Sequence, residues 1–292
     1  LDIVGMGEPL IELNQTRGSE GYRPGVGGDT SNAIVAAARC GARTGYFTAL
    51  GDDVFGRSIL DMWRAEGVDV SQVRVDASAA TGIYFVTHGP QGHEFSYLRA
   101  GSAASRVTPA DVPADYIAGA RALHVSAISQ AISASAADAV FAAIDAARAA
   151  PRTDWKDAGL GKRLGPVGRG SVNNHEAIRS ADIARPGLDD AQKLTGLDDP
   201  DAIADFYLKL GARIVALTLG ADGSLVATPD RRERIASVRV EAVDATGAGD
   251  AYDGAFLAEY LRTGDPFRAA RFANAAAALS TQGYGAVAPL PT

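Results

Sequence analysis

The run Val243-Asp244-Ala245-Thr246-Gly247-Ala248-Gly249-Asp250-Ala251 leads directly into the apolar-periodic stretch Tyr252 to Tyr260 and decides how this chain is read. Small residues at 247 to 249 let the backbone turn tightly at the start of a helix. Several N–H groups then aim at one point, and the helix dipole adds positive potential there. Gly247, Ala248 and Gly249 therefore read as an anion hole. Asp250 falls in the first turn of the same helix, beside whatever anion is held, where its carboxylate can take a proton from an attacking hydroxyl. Without its surroundings, the same string reads equally as a loop with two capping acids, Asp244 and Asp250.

Outward from this run, short apolar segments alternate with Ala-rich ones. Ile3 to Gly5, Thr44 to Ala49, Ala122 to Val125, Ile214 to Thr218 and Ser224 to Ala227 predict strands. Ser31 to Arg39, Gly56 to Glu66, Ser133 to Ala149, Pro200 to Lys209, Ala248 to Arg262 and Pro266 to Thr281 predict helices. Such alternation implies parallel pairing through crossovers, hence an α/β three-layer sandwich around a mostly parallel sheet, with ligands at the carboxyl ends of its strands.

Two regions break the rhythm. Leu10 to Asn14, Gly82 to His88 and His93 to Arg99 carry partial alternation, the last two joined by the turn-like Gly89-Pro90-Gln91-Gly92. They predict a small, discontinuous β lid from about 8–26 and 80–101 on a single domain spanning 1–292; a surface hairpin without a role is the plainer alternative. Pro151 to Ser180 crowds glycine and basic residues and keeps no period of 2 or 3.6, so it reads as a functional loop or a local anomaly.

A net charge of −7 argues against a broad nucleic-acid surface. The single cysteine, Cys40, forms no internal disulfide and suits a reducing compartment. No stretch approaches the roughly 20 apolar residues that span a bilayer, so a cytoplasmic chain without membrane contact is expected. His88, His93, His124 and His175 show no metal-ligand spacing.

Three further motifs suggest chemistry. In Gly27-Gly28-Asp29-Thr30-Ser31-Asn32, paired glycines admit close backbone approach, while Asp29, Thr30, Ser31 and Asn32 offer the mixed donors and acceptors a polyol requires. Thr218-Leu219-Gly220-Ala221-Asp222-Gly223 ends a strand in a glycine-punctuated turn that suits phosphate oxygens, or is simply a β-turn. In the hairpin, alternation puts Phe95, Tyr97 and Arg99 on one face, so that an aromatic wall and a guanidinium suited to a carboxylate share a pocket.

Asp-x-Thr-Gly-Ala-Gly-Asp at 244 to 250 resembles the C-terminal signature of the ribokinase-like (PfkB) carbohydrate kinases. Gly27 to Gly41, with Gly51-Asp52-Asp53-Val54-Phe55-Gly56, is similar to their N-terminal signature. The likeness extends over nearly the whole chain and, through Gly-Gly-Asp-Thr-Ser-Asn and the hairpin, is greatest to bacterial 2-keto-3-deoxygluconate kinases. It implies a ribokinase-like fold and ATP-dependent phosphorylation of a sugar acid, with Mg²⁺ on the phosphates. Asp250 would be the base, and Gly28 to Asn32, Tyr84, Tyr97 and Arg99 the sugar site. Thr218, Gly220, Asp222, Gly223 and Asn274 would face the nucleotide, and Asp190 would support the metal in place of the usual Glu of an Asn-x-x-Glu element, whose Asn is here Gly187. A homodimer through the lid is expected as well. The Asp-x-Asn-x-Arg stretch usual in these kinases has no match between Pro151 and Ser180, where Asp154-Trp155-Lys156 is the nearest fragment.

A fructokinase or other neutral-sugar kinase remains an alternative, as does a non-catalytic sugar or nucleotide sensor on the same scaffold. A dinucleotide oxidoreductase is disfavoured, because Gly5-Met6-Gly7-Glu8-Pro9-Leu10 lacks the third glycine and puts Pro9 where a helix should begin.

Overall fold

The computed structural model describes residues 1–15, 21–89, 92–149, 157–161 and 176–292. Most of the irregular segment at 151–180 and the tip of the hairpin therefore lie outside the described residues. In chain order the elements are β1 (Ile3–Met6), β2 (Leu10–Gln15), β3 (Tyr22–Gly27), α1 (Asp29–Arg39), β4 (Thr44–Gly51), α2 (Val54–Ala65), β5 (Asp69–Asp76), β6 (Ile83–Gly89) and β7 (Gly92–Leu98). There follow α3 (Ala114–Ala118), β8 (Ala122–Ser126), α4 (Ala127–Ala131), α5 (Ala134–Ala149), β9 (Asp157–Gly161), β10 (Ile183–Arg185), α6 (Leu188–Thr195) and α7 (Pro200–Leu210). The chain closes with β11 (Ile214–Thr218), β12 (Ser224–Ala227), β13 (Arg232–Ile235), α8 (Ala248–Thr263) and α9 (Pro266–Ser280).

Nine of the described strands form one sheet in the order β13-β12-β11-β10-β9-β8-β1-β4-β5. Pairing is parallel from β11 to β5 and antiparallel only at the β11–β12–β13 edge. The strand period of two divides its side chains between two cores. Ile3, Ala216 and Val226 pack with α1, α2, α8 and α9, whereas Val4, Val215, Leu217 and Leu225 pack with α3, α5 and α7 on the opposite face. The result is the expected three-layer sandwich.

A second sheet, ordered β3-β2-β6-β7, stands off the first. β2 pairs parallel with β6, and the two hairpins β2–β3 and β6–β7 are antiparallel. Leu10, Tyr84 and Val86 form its own small core. Among the described residues no helix is long and apolar enough to cross a membrane.

Gly254 sets how closely α1 and α8 pack. A Cβ there would sit 2.1 Å from the Ala33 carbonyl oxygen and 2.8 Å from Ala36 Cβ, so the bare backbone of α8 lies directly on α1. That contact brings the first turns of the two helices together.

Arg185, at the end of β10, is fully buried. Its Nε donates to Asp253 Oδ1 at 3.1 Å, and Nη2 lies 2.9 Å from His124 Nδ1. The guanidinium thus ties β8 and β10 to α8 one turn beyond Asp250.

Candidate active site

Among the described residues, six of the nine named helix N-termini fall into two groups; of the others, α4 and α5 are capped by Ser126 and Ser133, and α3 is only five residues long. α2, α7 and α9 start at Asp53, Asp199 and Asp265, whose carboxylates accept first-turn amides. α1, α6 and α8 start at Gly28, Gly187 and Gly247 and have no side-chain cap. Their first-turn amides are left for another acceptor, so these three ends are the places where an anion or a sugar oxygen would be bound. Gly28 has φ 110° and a Cβ there would meet the Glu8 carbonyl oxygen at 2.4 Å; Gly247 has φ 76° and is pressed against Ala286. Neither position accepts a side chain without strain.

A cavity at the carboxyl ends of the strands is lined from both sheets. Gly28, Asp29 and Asn32 enter from α1, Thr246, Gly247 and Asp250 from the start of α8, and Tyr84, Phe95, Tyr97 and Arg99 from the four-stranded sheet, with Glu8 and Ala286 completing the wall. Asn32 Nδ2 donates to Asp250 Oδ2 at 2.9 Å, so the two signature segments meet side chain to side chain. Tyr84 and Tyr97 are stacked with ring centroids 6.0 Å apart, and the Arg99 guanidinium lies 5.4 Å from the centre of the Tyr97 ring.

Asp244 is part of the loop's frame. Its Oδ1 accepts Thr246 N and Oγ1 at 2.9 and 2.7 Å, and Oδ2 accepts Gly285 N at 3.0 Å, which holds the glycine turn against the C-terminal segment. Thr30 and Ser31 do not reach the cavity. Thr30 bonds the Tyr46 hydroxyl at 2.5 Å, and Ser31 accepts Trp63 Nε1 at 3.0 Å, both in the core. α1 begins at Asp29, two residues before the expected Ser31, so Asp29 and Asn32 share the outward face while 30 and 31 turn inward.

The anticipated phosphate side lies along the next strand ends. Thr218 N donates to the Pro186 carbonyl at 3.0 Å, which sets the end of β11 beside the start of α6 and Asp190. Gly220 to Asp222 form a single 3₁₀ turn, and Gly223, at φ 98°, has no room for a Cβ because the Ile235 carbonyl would lie 2.1 Å from it. Asn274 Nδ2 donates to the Ile235 and Ala236 carbonyls at 2.9 and 3.4 Å, so it anchors the end of β13 to α9. Among the described residues no group of three or more His, Cys, Asp or Glu side chains is arranged to hold a metal ion. A divalent ion would therefore rest mainly on phosphate oxygens and water, as Mg²⁺ commonly does, with Asp190 as an acid at the uncapped end of α6.

Several buried acids at the site escaped sequence reasoning. Glu8 accepts Ser102 Oγ at 2.5 Å, and its Oε2 lies 2.5 Å from Arg99 Nη2, an ion contact without the alignment of a hydrogen bond. Burial raises the Glu8 carboxyl above its ordinary value, against the pull of Arg99. Glu12 accepts the Tyr84 hydroxyl and is likewise raised, chiefly by burial. The available signal for Glu8 was an acid placed just beyond a wholly apolar strand, at the ligand end of the sheet.

An α/β sheet with uncapped glycine-led helices converging on a carboxylate defines a class of group-transfer enzyme that handles anions through backbone amides. Residues 11–292 match the pfkB family carbohydrate kinase profile, and the chain belongs to that family. It is 38% identical over 293 residues to the 2-dehydro-3-deoxygluconokinase of Thermoproteus tenax, covering 96% of this chain and 88% of that one. To the enzyme of the same name from Bacillus subtilis strain 168 it is 33% identical, covering 100% and 93%. Among solved structures, fructokinase from Vibrio cholerae O395, in its fructose, ADP and calcium ion bound form, superposes with a TM-score of 0.89 at 27% identity, covering 99% of this chain and 96% of that one.

Proposed function

We propose that this kinase transfers the γ-phosphoryl group of ATP to the terminal hydroxyl of 2-keto-3-deoxygluconate. The observation that carries the reading is the Asn32–Asp250 pair at the meeting of two uncapped helix ends, facing a wall of Tyr84, Tyr97 and Arg99. Asn32 orients the Asp250 carboxylate, which takes the proton of the attacking hydroxyl. The first-turn amides of α8, from Gly247 to Asp250, stabilise negative charge on the group in transit. Gly28, Asp29 and Asn32 hold sugar hydroxyls, and Arg99 receives the carboxylate. ATP bound along Thr218, Gly220, Asp222 and Gly223 supplies the phosphoryl group; Asp190 would support a Mg²⁺ ion, which would supply charge neutralisation to the phosphates. Asn274 supports the nucleotide side by fixing the end of β13.

The four-stranded sheet serves as a lid that excludes water from the transfer. Its exposed Tyr22 and Leu98, on the outer strands β3 and β7, favour a homodimer formed through the lid. Dependence on ATP fits work in the cytoplasm.

Coupled ADP release over 2-keto-3-deoxygluconate, fructose, ribose and gluconate tests the reading. Turnover highest with 2-keto-3-deoxygluconate and selectively weakened by Arg99→Ala is expected. A preference for fructose that ignores Arg99→Ala would replace it with the neutral-sugar alternative, to which the likeness to a fructose-bound fructokinase lends weight. No turnover with any sugar would leave the sensor reading.

A further inference from the structure

Glu8 and Arg99 sit at two of the four crossings between the sheets. Glu8 lies where the chain leaves β1 for β2, and Arg99 where it returns from β7, with Ser102 three residues further on. The Glu8 side chain is 1% exposed. Gly82 packs beside it: a Cβ there would come within 2.5 Å of Leu10 Cδ2, 2.9 Å of Glu8 Oε1 and 3.5 Å of Arg99 Cβ. Arg99 Nε, also buried, has no hydrogen-bond partner among the described residues. Among the described residues the cavity's charges are unbalanced. Glu8 at the first crossing, Asp29 from α1 and Asp250 from α8 face it as carboxylates, whereas Arg99 is the one guanidinium among the described residues of its lining; Tyr84 and Tyr97 from the lid add only phenols, and Tyr46 from β4 lies behind Thr30.

We propose that Glu8 determines the charge selectivity of the sugar pocket, acting as an internal carboxylate that occupies Arg99 and that an incoming sugar acid must displace. The inference rests on Arg99 being the carboxylate receptor of the proposed reaction. With Glu8 buried at the pocket wall, two carboxylates and one guanidinium do not remain jointly ionised without a penalty. Entry of a sugar acid is therefore accompanied by a proton on Glu8, a group whose burial already favours its neutral form. A neutral sugar leaves the Glu8–Arg99 pair intact and takes up no proton. Glu8 thus sorts substrates by charge without touching the reacting atoms.

Isothermal titration of the whole protein with 2-keto-3-deoxygluconate and with fructose, each in two buffers of different ionisation enthalpy, reads the proton count. For the wild type, proton uptake per acid bound that rises with pH toward one, as Glu8 becomes ionised in the free protein, and none per fructose, is expected. The affinity for the acid should fall about tenfold per pH unit once Glu8 is ionised in the free protein. In Glu8→Gln the uptake disappears and the affinity at pH 6 and pH 8 agrees within about twofold. Ser102→Ala, which removes a donor to the charged form and keeps the acid in place, should reduce uptake in the same sense and guards against a misfolded Glu8 variant. Acid binding to the wild type without proton uptake overturns the proposal, as does acid binding to neither wild type nor Glu8→Gln while fructose binds both. If the linkage is found but 2-keto-3-deoxygluconate supports no ADP release, the substrate reading falls and the role of Glu8 stands. If neither sugar binds the wild type, both fall.

Discussion

Replacing Gly254 with alanine tests whether the α1–α8 contact sets the catalytic geometry. The added Cβ would lie 2.1 Å from Ala33 O, 2.8 Å from Ala36 Cβ and 2.8 Å from Ala37 N, so backbone must yield where no flexible side chain can. Restoring ordinary contact requires the helices to part by about 1 Å in a core that has few voids to absorb it. Overpacking of this kind costs ~1–3 kcal/mol, and the better helix propensity of alanine returns ~1 kcal/mol. The net loss of about 0–2 kcal/mol corresponds to a fall in Tm of no more than about 4 °C for a chain of this size. The larger effect is on turnover. Asn32 and Asp250 lie on the first turns of these two helices, 2.9 Å apart. Displacing them by about 1 Å should lower kcat on the order of 10²-fold. Thermal melts and steady-state ADP release on the purified variant measure both. Wild-type Tm and kcat together would refute the claim that Gly254 fixes the spacing.

Asp250→Asn should reduce kcat by at least about 10²–10⁴-fold, the usual contribution of general base catalysis, while ATP binding measured by calorimetry changes little. Asp253→Ala leaves the buried Arg185 guanidinium without its carboxylate and should cost about 3–5 kcal/mol in urea unfolding, whereas Arg185→Met combined with Asp253→Leu should cost much less. Glu12 carries a carboxyl raised above its ordinary 4.5, so the native state holds that proton more tightly than the unfolded chain. Its contribution is complete below pH 4.5 and is lost as pH rises through the raised value. Glu12→Gln should therefore flatten the decline in Tm between pH 5 and pH 8, and an unchanged slope would contradict this.

The buried parallel strands were legible because β1, β4, β8 and β11 are apolar on both faces and stand out as runs. β5 escaped notice as an edge strand in which Val70, Val73 and Val75 are separated by polar residues. β10 escaped because three residues ending in Arg185 carry no period, and only the fold reveals that Asp253 and His124 wait to receive the charge. β3 contains Pro24 and two glycines, a composition tolerated at the margin of a sheet but poor evidence for a strand. At the site, Asp250, Asn32, Tyr84, Tyr97 and Arg99 were found as motifs and do converge on one cavity. Glu8 was weighed only as part of a failed dinucleotide motif. Its partners Arg99 and Ser102 lie more than ninety residues away, and no local pattern registers a contact made across two sheet crossings.

The place of β1 inside the large sheet, between β4 and β8, bears on how the polypeptide is made. β1 precedes both of its neighbours in the chain, and β4 soon supplies one of them. Its other neighbour, β8, is paired through Ile3 with Ala122 and does not yet exist. At ordinary rates of elongation that partner arrives on the order of ten seconds later. Until then one side of Ile3-Val4-Gly5-Met6 presents unpaired backbone and side chains destined for two cores, a surface open to any extended segment nearby. A strand paired on both sides in the finished molecule is thus the one that waits longest for its second partner.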